Sequence, residues 1–371
     1  MNWQLIDSDE ALEDLLAQAS EYDAVAIDTE FMRRNTFFPQ VSLLQLCFSG
    51  KAWLIDPLAI KEIGSLVDFV VNPGIVKILH SASEDLEVFQ QWLGVLPQPM
   101  FDTQRAAALL GRGFGLGYRA IVSDLCDVEL DKGETRSDWL RRPLSESQCD
   151  YAAQDVTHLL SVWQLLRAEC EDQGKTDWVF SDGRDAANAL ASTSGHYYKK
   201  IKSAWKLDAR QLASLIAISD WRERTARTRD KPRSWIIDDK ACFGLAQCDP
   251  QSWAELKSEV DLPPPALRRY GEDLLALLAQ QRILPEEALP ERLPAPMTAA
   301  QRNKAKKIKL AAKDIAIGLN IAPEVLLQSR DYEILVREAE GGTVTVPPYW
   351  SGWRLERIVT PLREILGRGI E

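Results

Sequence analysis

The sequence predicts an α/β domain built on a mixed β-sheet, followed by a region that is nearly all helix. Three observations carry that expectation. Four short apolar runs, rich in β-branched residues or bounded by turn signals, precede residue 82. Helical periodicity takes over after the fourth run. From about residue 175 onward the pattern is helical almost throughout. Strands first, then helix–strand alternation, is the signature of an α/β sheet with helices packed on it.

The strands are read in order. "AVAIDTEF" (24–31), "SLLQLCF" (42–48), "AWLIDP" (52–57) and "IVKILHS" (75–81) are the four runs, with Ser49-Gly50 as the turn between the second and third. "SEDLEVFQQWLG" (83–94) then places Leu86, Phe89 and Leu93 at helical spacing, with Gly94 as the stop. A second helix opens on the capping box "SESQ", with Ser145 as N-cap and Gln148 at the third helical position. Ala152, Val156, Leu159, Leu160 and Trp163 continue its apolar stripe, which predicts one unbroken helix to Gly174.

The second half reads as two helical modules. "DARQLASLIAISDWRERTARTRD" (208–230) is a long amphipathic stretch ended by Pro232, and "PPPALRRYGEDLLALLAQ" (263–280) is a helix after a proline-rich start. "LPERLPAPM" (289–297) has three prolines and predicts a linker; helices are expected near 300–317, 323–338 and 352–366.

Composition is ordinary for a globular chain of 371 residues, with 46% hydrophobic and 27% charged residues. That length suits two or three domains. Net charge is −11, but it is unevenly placed: residues 1–170 hold 26 acids against 13 bases, and residues 171–371 hold 29 against 31. The two halves are therefore expected to do different jobs. No apolar run reaches the ~18–20 residues of a membrane span. "MNWQLIDSDEALEDLL" lacks a basic start followed by an apolar run, so no signal peptide is expected. The six cysteines form no C-x-x-C pair and read as reduced thiols of a cytoplasmic protein.

Chemistry enters with Asp28 and Glu30. Residues i and i+2 of a strand share a face, so the two carboxylates lie side by side on a core-bound strand. Like charges that are also desolvated cost several kcal/mol unless something compensates them. Asp85 falls in the first turn of the helix after "HSASED", and Tyr151 and Asp155 stand at i and i+4 on the capped helix. Each feature alone has a plain structural reading: a solvated rim, a helix-start acid favoured by the dipole, a half-buried tyrosine. His80 and His158 read as structural, and three histidines with no i,i+4 pair speak against a histidine zinc site. No P-loop and no G-x-S-x-G elbow is present. Together, however, four carboxylates from a strand, a helix start and a helix face suit hard divalent cations. Two such ions clamp the attacking and leaving oxygens of an in-line phosphoryl displacement.

"DTEF" at 28–31, H-x-x-x-x-D at 80–85 and Y-x-x-x-D at 151–155 resemble the three motifs of the DEDD 3′–5′ exonuclease superfamily, with Tyr151 marking its tyrosine subgroup. "DTEFMRRNTFFPQVSLLQL", "LHSASEDLEVF" and "RSDWLRRPLSESQCDYAAQDVTHLL" are similar to the bacterial ribonuclease D family, over residues 1 to about 170. Residues 208–288 resemble an HRDC domain, the helical module that family shares with RecQ-type helicases, and 298–371 would by analogy be a second, divergent copy. The resemblance implies a ribonuclease H-like exonuclease domain (1–170), a helical connection (171–207) and two all-α HRDC-like domains separated by the linker at 289–297.

It also implies roles. Asp28, Glu30, Asp85 and Asp155 would be the ligands of two Mg²⁺ or Mn²⁺ ions, with Asp28 bridging both. Tyr151 would hold the attacking water, since an ordinary phenol pKa of ~10 makes it a poor base at pH 7. The implied reaction is hydrolysis of RNA from the 3′ end to 5′-mononucleotides, with tRNA precursors as implied partners, and no membrane or obligate protein partner. RNA contact is expected from the basic runs "WRERTARTRDKPR" (Arg222, Arg224, Arg227, Arg229) and "QRNKAKKIKLAAK" (Lys304, Lys306, Lys307), each of which could equally be a solvated helix face. Phe31 is a candidate to pack on the terminal nucleotide, although core packing is the simpler explanation. Two rivals stay open: a DNA exonuclease of the repair or proofreading type, and a non-catalytic RNA-binding protein on a degenerate nuclease fold.

Overall fold

The structure is a computed structural model that describes residues 2–131, 137–191 and 195–367. Residues 192–194 of the expected connection and the last four of the expected final domain lie outside these. In chain order the elements are β1 (Trp3–Ile6), α1 (Asp9–Ala19), β2 (Ala24–Met32), β3 (Gln40–Phe48), β4 (Lys51–Ile55), α2 (Gly64–Val71), β5 (Val76–Leu79), α3 (Ser83–Trp92), β6 (Met100–Asp102), α4 (Thr103–Leu109), α5 (Tyr118–Cys126), α6 (Glu146–Thr157), α7 (Leu159–Asp172) and α8 (Thr176–Ala191). After two 3₁₀ turns come α9 (Ala209–Arg229), α10 (Arg233–Ile236), α11 (Asp239–Cys248), α12 (Trp253–Glu259), α13 (Pro264–Arg282), α14 (Ala299–Leu319), α15 (Ser329–Ala339), α16 (Gly352–Arg354) and α17 (Thr360–Gly367).

These elements form two compact units. The first holds Met1–Met32, Pro39–Leu190 and Met297–Glu371; the second holds Arg33–Phe38 and Ala191–Pro296. In the first, six strands are ordered β1-β4-β3-β2-β5-β6. β4–β3 and β3–β2 are antiparallel, and the β1–β4, β2–β5 and β5–β6 pairs are parallel, so the sheet is mixed. Period-two alternation on β2 sorts its side chains. Val25 and Ile27 join a core with α1, α2 and α3; Ala24 and Ala26 join another with α6, α7 and the helices α14 to α17. Asp28 and Glu30 continue the second row and Thr29 the first. In the second unit, Leu212, Leu215, Ile218 and Ala226 of α9 pack with Leu245, Leu256, Leu274 and Leu278.

Two differences from the sequence expectations matter. The helix expected to run from Ser145 to Gly174 breaks at His158, giving α6 and α7. Tyr118 donates its hydroxyl to the Gln154 carbonyl at 3.2 Å and accepts from the His158 backbone N–H, so the phenol stands between the two groups that would continue the helical ladder across the break. Residues 352–367 are not one regular helix either; a π-turn at Leu355–Val359 separates α16 from α17. The capping box at Ser145 and Gln148 is present as predicted, and Gly94 stops α3 with φ +71°. No helix among the described residues is long and apolar enough to cross a membrane.

Candidate active site

The site forms at the end of β2. Asp28 pairs in register with Gln45 and Glu30 with Leu43, and the register shifts between Glu30 and Phe31, where the strand leaves regular pairing. Both carboxylates face α6. The capping box fixes where α6 starts, and four residues of pitch bring Tyr151 and Asp155 onto the face turned to β2. One carboxylate oxygen each of Asp28, Glu30 and Asp155 lies within 4.8 Å of the others.

Asp85 arrives from the other side of the sheet. It is buried in the first turn of α3, and Thr29, the β2 residue of opposite parity, donates its hydroxyl to Asp85 Oδ1. The D-x-E spacing therefore does two things: the acids point one way, and the residue between them holds the third acid. Asp85 is not part of the Asp28–Glu30–Asp155 triangle, although its charge reaches Asp28 and Glu30.

Burial pushes all four acids up, and repulsion within the cluster adds to it at Asp28 and Glu30. Asp28 is raised by burial, then by Asp85, Asp155 and Glu30. Glu30 is pushed to about 8 by burial, Asp155 and Asp85. Burial takes Asp155 to about 7 against the hydrogen bond from Tyr151, and Asp85 to about 7 against the bond from Thr29. None of the four is in an ion pair among the described residues. Desolvated carboxylates without a cationic partner among the described residues fit a hard divalent ion, which takes oxygen ligands and supplies the missing charge. The Tyr151 phenol is raised by burial and by Asp155, Glu30 and Asp28, so it is protonated and donates to Asp155.

Residues outside the expected set hold this arrangement. Asp102 Oδ1 accepts from the backbone N–H of Ser81 (3.1 Å), Gln104 (2.9 Å) and Arg105 (3.2 Å), and Oδ2 from Ala82 (3.0 Å). It caps α4 and fixes the turn into α3, where Ser81 has φ +63°. An Asp before "TQRAAAL" is an N-cap signal that sequence reading could have used. Arg142 grips Asp56 with Nε and Nη2 at 2.6 and 2.7 Å and donates to the carbonyls of Trp139 and Ser42. That anchors the approach to α6, and Trp139 lies 6.1 Å from the Tyr151 ring. His80 bridges the Thr103 hydroxyl and the Leu116 carbonyl at 2.9 Å each, the structural role expected of it. Gln45, opposite Asp28, is fully buried and neither of its amide atoms has a partner among the described residues.

The expected RNA-contacting residues divide. Arg222 is corrected: it is buried at 4% exposure, donates to the Ile237 carbonyl and pairs with Asp239 at 2.8 Å, so it has no surface to offer a phosphate. It lies on the same helical stripe as Leu212, Leu215 and Ala226. Arg224 is exposed. Arg227 pairs with Glu223 at 2.8 Å, and Arg229 donates to the Tyr270 hydroxyl at 2.7 Å. Lys304 pairs with Glu340 at 2.7 Å, and Lys306 and Lys307 are exposed. Phe31 is half-buried at the register shift.

Fold and acid cluster together define a 3′–5′ exonuclease domain, and the family model of that description matches residues 3–171. A second model, the HRDC domain, matches residues 211–278. Ribonuclease D of Escherichia coli is 37% identical over 99% of both chains, and that of Pseudomonas paraeruginosa 38% identical over 90% of this chain and 89% of the other. The crystal structure of E. coli RNase D, described as an exoribonuclease involved in structured RNA processing, superposes with a TM-score of 0.92 at 36% identity over 100% of both chains. The chain belongs to the ribonuclease D family.

Proposed function

We propose that this chain removes nucleotides one at a time from RNA 3′ ends, releasing 5′-mononucleotides, with two Mg²⁺ or Mn²⁺ ions held by Asp28, Glu30, Asp85 and Asp155. The observation that carries the reading is the triangle of half-buried acids within 4.8 Å that has no cationic partner among the described residues. Such ions supply Lewis acidity toward the phosphodiester and cancel the charge of the site. The protein's own groups do the positioning. Asp28 and Glu30 are fixed by the sheet register, Asp155 by α6, and Asp85 by Thr29. Tyr151, protonated and tied to Asp155, can orient a water but cannot take its proton.

RNAs with free 3′ ends, tRNA precursors among them, are the proposed substrates, in keeping with the E. coli relative's part in structured RNA processing. Arg224, Arg227, Arg229, Lys304, Lys306 and Lys307 are the proposed phosphate contacts, and Phe31 the proposed neighbour of the terminal nucleotide. Residues 208–288 are read as the HRDC domain and 298–371 as a second, divergent HRDC-like domain, with 171–207 and 289–297 connecting.

Matched RNA and DNA oligomers, incubated with Mg²⁺, Mn²⁺ or chelator, test the reading. Expected are 5′-mononucleotides from RNA only with metal. Preference for DNA, or turnover in chelator, refutes it.

A further inference from the structure

The second unit carries a surface that the family motifs do not include. "YYKKIKSAWK" (197–206) has four lysines and three aromatics and no acid. It folds as two 3₁₀ turns, Tyr197–Lys200 and Ala204–Lys206. Ile201 and Leu207, which follow the two turns, and Ala204, which opens the second, are all buried in the α9 core. The residues between them are left outside: Lys199, Lys200, Lys202 and Lys206 are exposed, as is Trp205 at 36%. None of the four lysines is in an ion pair among the described residues.

The same segment joins an arginine–aromatic stack. Arg233 lies over the Tyr197 ring at 4.6 Å and over Phe37 at 4.7 Å, and Arg227 over Phe37 at 4.8 Å. Glu223 pairs with both arginines and so cancels only one of the two charges. Asp220 of α9 faces Tyr198 and His196. Lys206 lies 5.7 Å from the Trp205 ring and Lys199 5.9 Å from that of Tyr198, which alternates cations with flat π-faces along ten residues.

We propose that residues 197–206, with Arg227 and Arg233 beside them, are a binding platform for single-stranded RNA. Exposed lysines track a phosphate backbone, and aromatic faces accept unstacked bases of any identity. That combination grips a strand without reading its sequence, as an exonuclease stepping through every base requires. A protein partner would instead call for a packed apolar centre with charge kept to its rim, and here the charges and rings alternate. The inference rests on the RNA reading above and adds a second contact region to it.

The test compares the wild-type full chain with two variants, Lys199/Lys200/Lys202/Lys206→Gln and Trp205→Ala. Activity is measured with metal on an unstructured RNA of about 20 nucleotides, longer than one binding site of this kind, and on a dinucleotide. Binding of the long RNA is measured separately by fluorescence anisotropy in chelator. For the lysine variant, the ratio of kcat/KM on long to short RNA is expected to fall roughly tenfold or more near physiological salt. The slope of log affinity against log salt should shrink by up to about 3, at ~0.7 per single-strand phosphate contact. Trp205→Ala should weaken binding while leaving the salt slope unchanged. An unaltered ratio and slope in the lysine variant overturns the proposal, whether the surface is merely solvated or serves a protein. A misfolded variant would lose both substrates together and leave the anisotropy titration without a plateau; Lys199/Lys202→Arg, which keeps the charge, must then restore both. Should the wild-type chain hydrolyse no RNA, the functional reading fails while the anisotropy arm still judges the platform.

Discussion

The acid cluster on β2 and the basic helix α9 are both dense in charge, and they treat it in opposite ways. Asp28, Glu30, Asp85 and Asp155 are desolvated, repel one another and have no cationic partner among the described residues. On α9, Arg222 is turned inward to Ile237 and Asp239, while Arg227 and Arg233 share the single charge of Glu223 and keep one positive charge between them. The difference identifies which charges are available for function. A charge the fold has already satisfied is structural, and a cluster the fold leaves unsatisfied is waiting for a ligand.

The largest expected effect breaks the first half of that comparison. Asp155→Asn removes one ligand and one of the repelling charges while keeping the shape of the side chain. Turnover of RNA is expected to drop by about a thousandfold or more. The metal-free protein is expected to melt higher than wild type at pH 8, because one desolvated anion is gone. Activity and stability moving in opposite directions is the diagnostic outcome. A variant that loses both, with unchanged metal affinity, would place Asp155 in the scaffold rather than in the site.

Chelation should act on the same charges more gently. Folded-state values of about 7 for Asp85 and Asp155 and about 8 for Glu30 lie above those of the unfolded chain. The folded protein therefore binds more protons than the unfolded one over this range, and its stability must fall as pH rises. The contribution is complete below about pH 4 and is lost as pH passes through 7 to 8. Melting temperatures in chelator should decline toward pH 8, whereas saturating Mg²⁺ should hold them level. A metal-free profile that rises with pH across this window contradicts the electrostatics described here.

Much of this was legible in the sequence, for identifiable reasons. The period-two alternation of β2 gave the two faces, and the Ser145 capping box gave the placement of Tyr151 and Asp155. β1 and β6 were missed because four and three residues are too short to show a period. The approach of Asp85 from the opposite face was hidden because it depends on Thr29 and on the Asp102 hub, which are long-range hydrogen bonds. The break at His158 stems from the Tyr118 hydroxyl, a group distant in sequence that an unbroken apolar stripe conceals. Gln45 leaves no trace in a hydrophobic pattern, since it sits where a core residue belongs.

Arg222 was misjudged for another reason: counting bases in a run ignores the helix beneath it. Leu212, Leu215, Ser219, Arg222 and Ala226 recur at three- and four-residue steps and are all buried, so the stripe passes through Arg222 and leaves Arg224 outside. This yields the smallest and sharpest contrast. Arg222→Met keeps an unbranched stem and removes a buried Nε that has no partner among the described residues. The Ile237 carbonyl loses its donor and Asp239 its partner, so stability should fall by about 1–3 kcal/mol. The variant's salt dependence on RNA should match wild type. Arg224→Met, at an exposed position, should leave stability within about 0.5 kcal/mol of wild type but lower the salt slope by about 0.7, the share of one phosphate contact. Denaturant titration and salt-dependent RNA binding of the pair measure both quantities. Equal slopes for the two variants would show that exposure on α9 does not select the residues that meet RNA, and the division drawn between satisfied and available charge would fail in this unit.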